Sequence, residues 1–284
     1  MEIKAIDCHV HLRDDLTVQA LGARAHQQAK YFGGELEVVS VDELADQYRE
    51  RQMMAVLMNS SDITTSGTKP VPNDHIAAAV RKHPDVFIGF GVIDPWLGRI
   101  AKDEIKRCAE ELGLAGIGEL NPGRQKFHPN DPRFYPLWEE VATHGMLITF
   151  HSGFMASGAG TPGGRGYKLD ACRPIPYLDD VAADFPELTI IGAHPSWPWP
   201  EENLAIARHK SNFYIDMSGW APRYFPDSLV RYANSILQNQ CLFGSDWPAL
   251  TPERWIEEFD ALGFKPEVRQ KILLENAKTL FKIA

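Results

Sequence analysis

Cysteine is scarce in this chain: four in 284 residues, none in a Cys-x-x-Cys spacing. That excludes a disulfide framework and a structural zinc knuckle. Cys8, Cys108, Cys172 and Cys241 fit a reducing, cytoplasmic setting. Positive charge is short as well, with 29 Lys and Arg against 38 Asp and Glu, a formal net charge of -9, and no basic run. Binding phosphates needs clustered cations, so nucleic acid is not an expected partner. No apolar stretch approaches the length of a membrane span. The N-terminus enters an apolar run without the basic-then-apolar order of a secretion signal. Internal repeats and low-complexity tracts are missing too, and residues 1–284 read as one domain.

What is there is the mix of a globular protein with a large core: 44% hydrophobic and 24% charged residues. The length is generous for an ordinary domain and normal for a closed α/β barrel. Short apolar runs at residues 3–7, 53–58, 86–92, 114–120, 146–151, 188–194, 213–217 and 241–246 read as strands. Helical patterns fall between them at 41–52, 74–82, 100–112, 133–144, 176–184, 201–210 and 226–238. Ser40 with Glu43 makes a capping box, and Thr251-Pro252 places proline at a first helical position. Eight continuous apolar strands alternating with helices imply an α/β fold, a single (β/α)8 TIM-type barrel rather than a doubly wound sheet. The long irregular segments 59–73, 121–131, 152–173 and 195–200 each follow a strand, so they should build the C-terminal rim where barrels carry their sites. The Gly-rich stretch 158–166 lacks the Gly-Lys-Ser/Thr ending of a phosphate loop and leads into no helix. It reads as a flap or a subunit contact.

The most informative stretch is Asp7-Cys8-His9-Val10-His11. On a strand, residues i and i+2 share a face, so His9 and His11 should project together. Three later runs also end in a potential ligand: Ile148-Thr149-Phe150-His151, Ile190-Ile191-Gly192-Ala193-His194 and Leu242-Phe243-Gly244-Ser245-Asp246. Singly, a histidine at a strand end is more often structural, and Asp246 would serve to cap the turn at Trp247-Pro248. Together on one rim they imply a metal site. Imidazole and carboxylate donors suit zinc, manganese or iron. Such an ion activates water or a bound oxygen, while a nearby carboxylate or imidazole moves protons.

The ensemble of Asp7-x-His9-x-His11, His151, His194 and Gly244-Ser245-Asp246-Trp247-Pro248 resembles the amidohydrolase superfamily. Its amidohydrolase-2 branch, which includes aminocarboxymuconate-semialdehyde decarboxylase, is the nearest in pattern. The segment 272–281 resembles that branch's last helix. The resemblance implies one divalent ion, usually Zn2+, held by His9, His11, His151 and Asp246, with Mn2+ or a second ion left open. His194 would polarise the water or substrate, and Asp246 would also accept a proton. The fourth strand ends in Gly118-Glu119, not in lysine, so no carbamylated lysine is implied. Glu119 either bridges two ions, as in TatD-type nucleases, or orients a ligand histidine. The activity implied is hydrolysis at a carbonyl of a carboxylated or acyl compound of aromatic catabolism. Nonoxidative decarboxylation of an aromatic or muconate-type acid is the alternative, and a non-catalytic binding barrel stands as a reading of another class.

Candidate substrate contacts lie in the rim loops. Trp197, Trp199, Trp220 and Trp247 suit a flat ligand, and equally suit packing against the neighbouring prolines. Arg124, Arg165 and Arg173 have the fork that clamps a carboxylate, against the plainer reading of solvated charges. A homodimer is the expectation from the long loops and Trp-rich segments.

Overall fold

The computed structural model describes residues 2–283. Its eight strands are β1 (Ala5–His11), β2 (Met53–Met58), β3 (Phe87–Gly91), β4 (Gly116–Leu120), β5 (Leu147–His151), β6 (Thr189–Ala193), β7 (Phe213–Asp216) and β8 (Cys241–Leu242). Neighbours pair in parallel in chain order, with helices in the connections. Backbone bonds between β1 and the chain after β8 close the barrel. Cys8 N donates to Phe243 O, Asp246 N to His9 O, and His11 N to Trp247 O, each at 2.9 Å. The fold is therefore the (β/α)8 barrel expected from the pattern. No helix among the described residues is long and apolar enough to cross a membrane. All four cysteines are buried and free.

Local signals explain the boundaries. The Ser40–Glu43 capping box starts the helix Val41–Glu50, and Thr251 caps Pro252–Asp260. The helix within the 226–238 pattern stops early, at Ala233, where the Ser235 hydroxyl bonds back to Arg231 O. β8 is much shorter than the apolar run 241–246, because Phe243 N already donates to Ile272 O outside the sheet. β1 is longer than expected and runs through both histidines. Two helices, Asp15–Leu21 and Ala23–Tyr31, follow β1, where no periodicity signalled them. Their faces are mostly polar, so the 3.6-residue pattern is faint.

Two layers of core hold the barrel. Ile6, Cys8, Met54, Val56, Phe90, Leu147, Ile191 and Leu242 fill its interior. Leu274 and Ala277 pack with them from the C-terminal helix, whose Phe281 ring lies 6.1 Å from that of Phe90. These contacts plug the N-terminal end and leave the C-terminal rim as the open mouth. Outside the strands, Trp138, Phe150, Phe213, Phe243, Trp255 and Phe259 pack sheet against helices. Truncating one such aromatic to alanine costs about 3–5 kcal/mol.

Register shifts decide which side chains reach the mouth. On β1, Ala5 faces the outer core and Asp7 meets Tyr48 of an outer helix, so regular alternation would send His9 and His11 outward too. An irregularity between Asp7 and Val10 shifts the register, Val10 packs outward, and both histidines turn inward. β4 repeats the device: the register shifts between Ile117 and Leu120, both in the outer core, and Glu119 is turned to the mouth.

Candidate metal centre

Each histidine of the pair is fixed by a partner on its far nitrogen. His9 donates Nδ1–H to Asp216 Oδ2 on β7 at 2.7 Å, and His11 donates Nδ1–H to Met58 O on β2 at 3.0 Å. Both Nε2 lone pairs are thereby aimed inward. They lie 3.2 Å apart, and Asp246 Oδ1 lies 3.2 Å from the His11 nitrogen and 3.7 Å from the His9 nitrogen. Two lone pairs and a carboxylate oxygen this close repel one another unless a cation or proton sits among them. Donors about 2.0–2.2 Å from one ion, at tetrahedral or octahedral angles, are themselves roughly 2.8–3.6 Å apart. Two of the three separations fall in that range and the third exceeds it by 0.1 Å, so the residues fit a divalent cation.

Asp7 ties this group together beneath. Its carboxylate accepts from Ser245 N at 2.8 Å, Ser245 Oγ at 2.5 Å and Tyr48 Oη at 2.8 Å, and from His9 N at 3.3 Å. It thus links β1, which carries the histidines, to the turn that carries Asp246. Asp216 is braced by Ser218 N at 3.0 Å and Ser218 Oγ at 2.8 Å. Gly244 leaves it room: a Cβ there would stand 2.3 Å from Asp216 Oδ1.

A second cluster adjoins the first. His151 Nδ1 is 2.7 Å from Glu119 Oε1 and 3.1 Å from His194 Nε2, and Glu119 Oε1 is 3.4 Å from His194 Nε2. His194, at φ 71°, donates Nδ1–H to Ser218 O at 3.0 Å. His9, Glu119 and His194 also converge as a donor triad. His9 has committed Nδ1 to Asp216, so its single remaining lone pair serves one ion, and the two triads that share it are alternatives rather than a pair.

The charges follow from burial and neighbours. Burial would lower the His9 imidazole, but Asp216, Asp246 and Glu119 outweigh it and hold it up to about 10 in the metal-free protein. Burial opposes ionisation of Glu119, yet the neighbouring His151 and His194 keep its carboxyl well below the usual range. Asp246 is likewise held low against burial by its bond to His11 and by His9. Burial pulls His151 down, whereas Glu119 and Asp246 carry His194 up despite burial. The mouth therefore favours ionised carboxylates, while burial disfavours a charge on His151 and the neighbouring carboxylates favour one on His194.

A cavity of about 220 Å3 opens over these groups, with His11, Glu119, His151, His194, Asp246 and Arg124 on its walls. A second opening reaches His151, His194 and Asp246 from the side of Phe154 and Trp220.

The amidohydrolase family profile matches residues 6–283. The chain belongs to the amidohydrolase family. It is 34% identical over 234 residues to 2-amino-3-carboxymuconate-6-semialdehyde decarboxylase of Dictyostelium discoideum, a match that covers 72% of this chain and 64% of that protein. It is 24% identical over 250 residues to gamma-resorcylate decarboxylase of Rhodococcus jostii (strain RHA1), covering 74% and 75%. Among solved structures, an uncharacterised TIM-barrel protein of Bordetella bronchiseptica superposes with a TM-score of 0.77 at 23% identity, covering 99% of both chains. A dihydroxybenzoic acid decarboxylase of Polaromonas sp. JS666, solved with bound manganese and 2-nitroresorcinol, gives 0.69 at 20% identity, covering 99% and 97%. The family is metal-dependent.

Not every residue singled out in the sequence reaches the amidohydrolase mouth in the same way. His9, His11 and Asp246 form one donor set, with His194 and Glu119 beside it. His151 stands at the rim but turns toward Glu119, and its Nε2 lies 3.2 Å from Phe154 O. Arg124 and Trp220 line the openings. Arg165 pairs with Gln27 at 2.6 Å and Arg173 with Glu202 at 2.5 Å, and neither lines an opening. Trp247 is 5% exposed and belongs to the outer core, and Trp199 leads into the helix Pro200–His209. Trp197 is 50% exposed and packs beside Phe154 and Trp220, 5.8 and 6.0 Å from their rings, without lining either opening. Sequence reasoning missed Asp216, although the apolar run Phe213-Tyr214-Ile215-Asp216 ends in a polar residue as the runs before His151, His194 and Asp246 do.

Proposed function

We propose that the protein is a metal-dependent nonoxidative decarboxylase of a hydroxylated aromatic or muconate-type acid. The observation that carries the reading is the inward convergence of His9 Nε2, His11 Nε2 and Asp246 Oδ1 beside His194 and Glu119, in a cavity wide enough for a small ring. The sequence put hydrolysis first. Both curated relatives described above are decarboxylases, and that supports the reverse order.

His9, His11 and Asp246 would hold the ion, Zn2+ or Mn2+, with His151 able to join them by a turn of its ring. A divalent cation there would supply positive charge to attract the substrate carboxylate. The protein's own groups do the rest. Asp216 and the Met58 carbonyl keep both imidazoles in the tautomer that leaves Nε2 free. His194 donates Nδ1–H to Ser218 O, which leaves its Nε2, 3.4 Å from Glu119 Oε1, as the nitrogen that would carry the proton to be delivered. As the bond from ring carbon to carboxylate breaks, its electron pair stays on the carbon and carbon dioxide leaves. His194 Nε2 would deliver the proton to that carbon, with Glu119, 3.4 Å away, steadying the imidazole.

The test is to incubate metal-loaded protein with phenolic acids, and separately with lactones and β-keto thioesters. Carbon dioxide released from the phenolic acids, and lost in a His194→Asn variant that retains its metal, is the expected result. Turnover of lactones or thioesters alone would overturn the reading in favour of hydrolysis.

A further inference from the structure

Two buried polar side chains on the cavity wall have no part in the centre described above. Arg124 is 7% exposed and lines the cavity, and neither its Nε nor its Nη2 meets a hydrogen-bond acceptor among the described residues. Asn59, also 7% exposed, lines the same cavity with Nδ2 unpartnered. The nearest carboxylate to Arg124 is Asp62, whose Oδ2 lies 4.0 Å from Nε, beyond hydrogen-bond reach. That same oxygen accepts from Arg24 Nη1 at 2.6 Å. One carboxylate thus serves two guanidinium groups, and the three side chains together keep one positive charge uncompensated.

The backbone of Arg124 is meanwhile pinned. Its N–H donates to Asn121 Oδ1 at 2.9 Å, and its carbonyl accepts from Thr65 Oγ1 at 2.9 Å. A guanidinium held at a fixed point with unmet buried donors is costly. Such a cost is sustained where an incoming acceptor relieves it. Arg165 and Arg173, the other arginines singled out in the sequence, are already spent on Gln27 and Glu202.

We infer that Arg124 and Asn59 form a subsite for a second acidic group of the substrate, separate from the carboxylate that leaves. The inference rests on the decarboxylase reading of the same cavity. A planar carboxylate matches the guanidinium fork through two parallel bonds, and the Asn59 amide adds a third donor. The substrate class is therefore an aromatic or unsaturated dicarboxylic acid. During turnover one carbon–carboxylate bond breaks and its carbon takes a proton, while the second carboxylate stays on Arg124 unchanged. An apolar extension would instead point to the second opening, toward Phe154 and Trp220.

The experiment compares salicylate with the same acid carrying a second carboxylate para to its hydroxyl, using metal-loaded protein. The diacid is expected to show a kcat/KM roughly ten- to a hundredfold higher, carried by KM, the return on a charge-assisted bidentate contact. Arg124→Met should reduce that preference to about threefold or less, and Asn59→Ala should reduce it in part. Equal kcat/KM for the two acids in the unaltered protein, or a preference that survives Arg124→Met, would overturn the inference. Should neither acid release carbon dioxide, the decarboxylase reading fails on its own, and binding still decides the subsite. Calorimetry with phenol and para-hydroxybenzoate is then expected to show the acid bound at least about tenfold more tightly, an advantage lost in Arg124→Met. Equal binding of the two would refute it.

Discussion

Replacing Asp216 by asparagine probes the part of the centre that holds no ligand position itself. The Asp216 carboxylate is 1% exposed, lies 2.7 Å from His9 Nδ1, and also accepts from Ser218 N at 3.0 Å and Ser218 Oγ at 2.8 Å. Asparagine keeps the volume and one acceptor oxygen. If that oxygen faces His9, the amide NH2 confronts the Ser218 N–H, and if it faces Ser218, two donors meet at His9. Either way one bond is lost, along with the charge that raises the electron density of the His9 ring. Removing such an orienting partner lowers metal affinity about 10- to 100-fold, or roughly 1.4–2.7 kcal/mol. The assay is chelator competition on the purified variant, with its melting curve as a check that it folds. A folded Asp216→Asn protein that binds metal within about twofold of the unaltered one would refute the reasoning.

Other consequences are equally direct. Gly244→Ala should displace Asp216, since the added Cβ would stand 2.3 Å from its Oδ1. A loss of about 1–3 kcal/mol in the melting transition, together with weakened metal binding, is expected, and an unaffected variant would contradict the packing described. Tyr48→Phe removes one of the donors to the buried Asp7 and should cost about 1–3 kcal/mol by denaturant unfolding; no change would mean that this tie between strand and helix contributes nothing. In the metal-free protein His9 is held up to about 10, so near neutrality it carries a proton that the ion must displace. Metal affinity should then rise with pH by about tenfold per unit for each proton released, up to that value, and fall toward acid. Calorimetry in buffers of different ionisation enthalpy counts the protons, and a count of zero would contradict the charge state assigned to His9.

The barrel was legible because its strands are buried on both faces and write themselves as unbroken apolar runs. The run at 53–58 coincides with β2, and the capping box at Ser40 marks its helix to the residue. Candidate donor positions stand out for a related reason: a polar residue ending a buried apolar run breaks its pattern. What the pattern could not carry was direction. Simple alternation on β1 and β4 would turn His9, His11 and Glu119 outward, and only the register shifts, which arise from pairing between distant strands, bring them in. Rim loops were less readable still. Arg124, Arg165 and Arg173 look alike in sequence, and their fates differ because Gln27 and Glu202 reach two of them across the fold. Trp247 reads as a rim aromatic, but the bond from its N–H to Ser245 Oγ folds it back into the outer core. Asp216 ends an apolar run as the candidate donors do, but its bond is to His9, and a bond between residues 207 positions apart leaves no trace in local pattern.

The most direct measurement is elemental analysis of the purified protein alongside His11→Ala. His11 is the most accessible of the three converging donors, with its side chain 22% exposed, so its truncation should spare the fold. If one cation is shared by His9, His11 and Asp246, the unaltered protein carries about one equivalent of divalent metal and the variant, folded, retains little of it. Equal metal in both, or none in the unaltered protein after exposure to zinc or manganese, would contradict the centre described here.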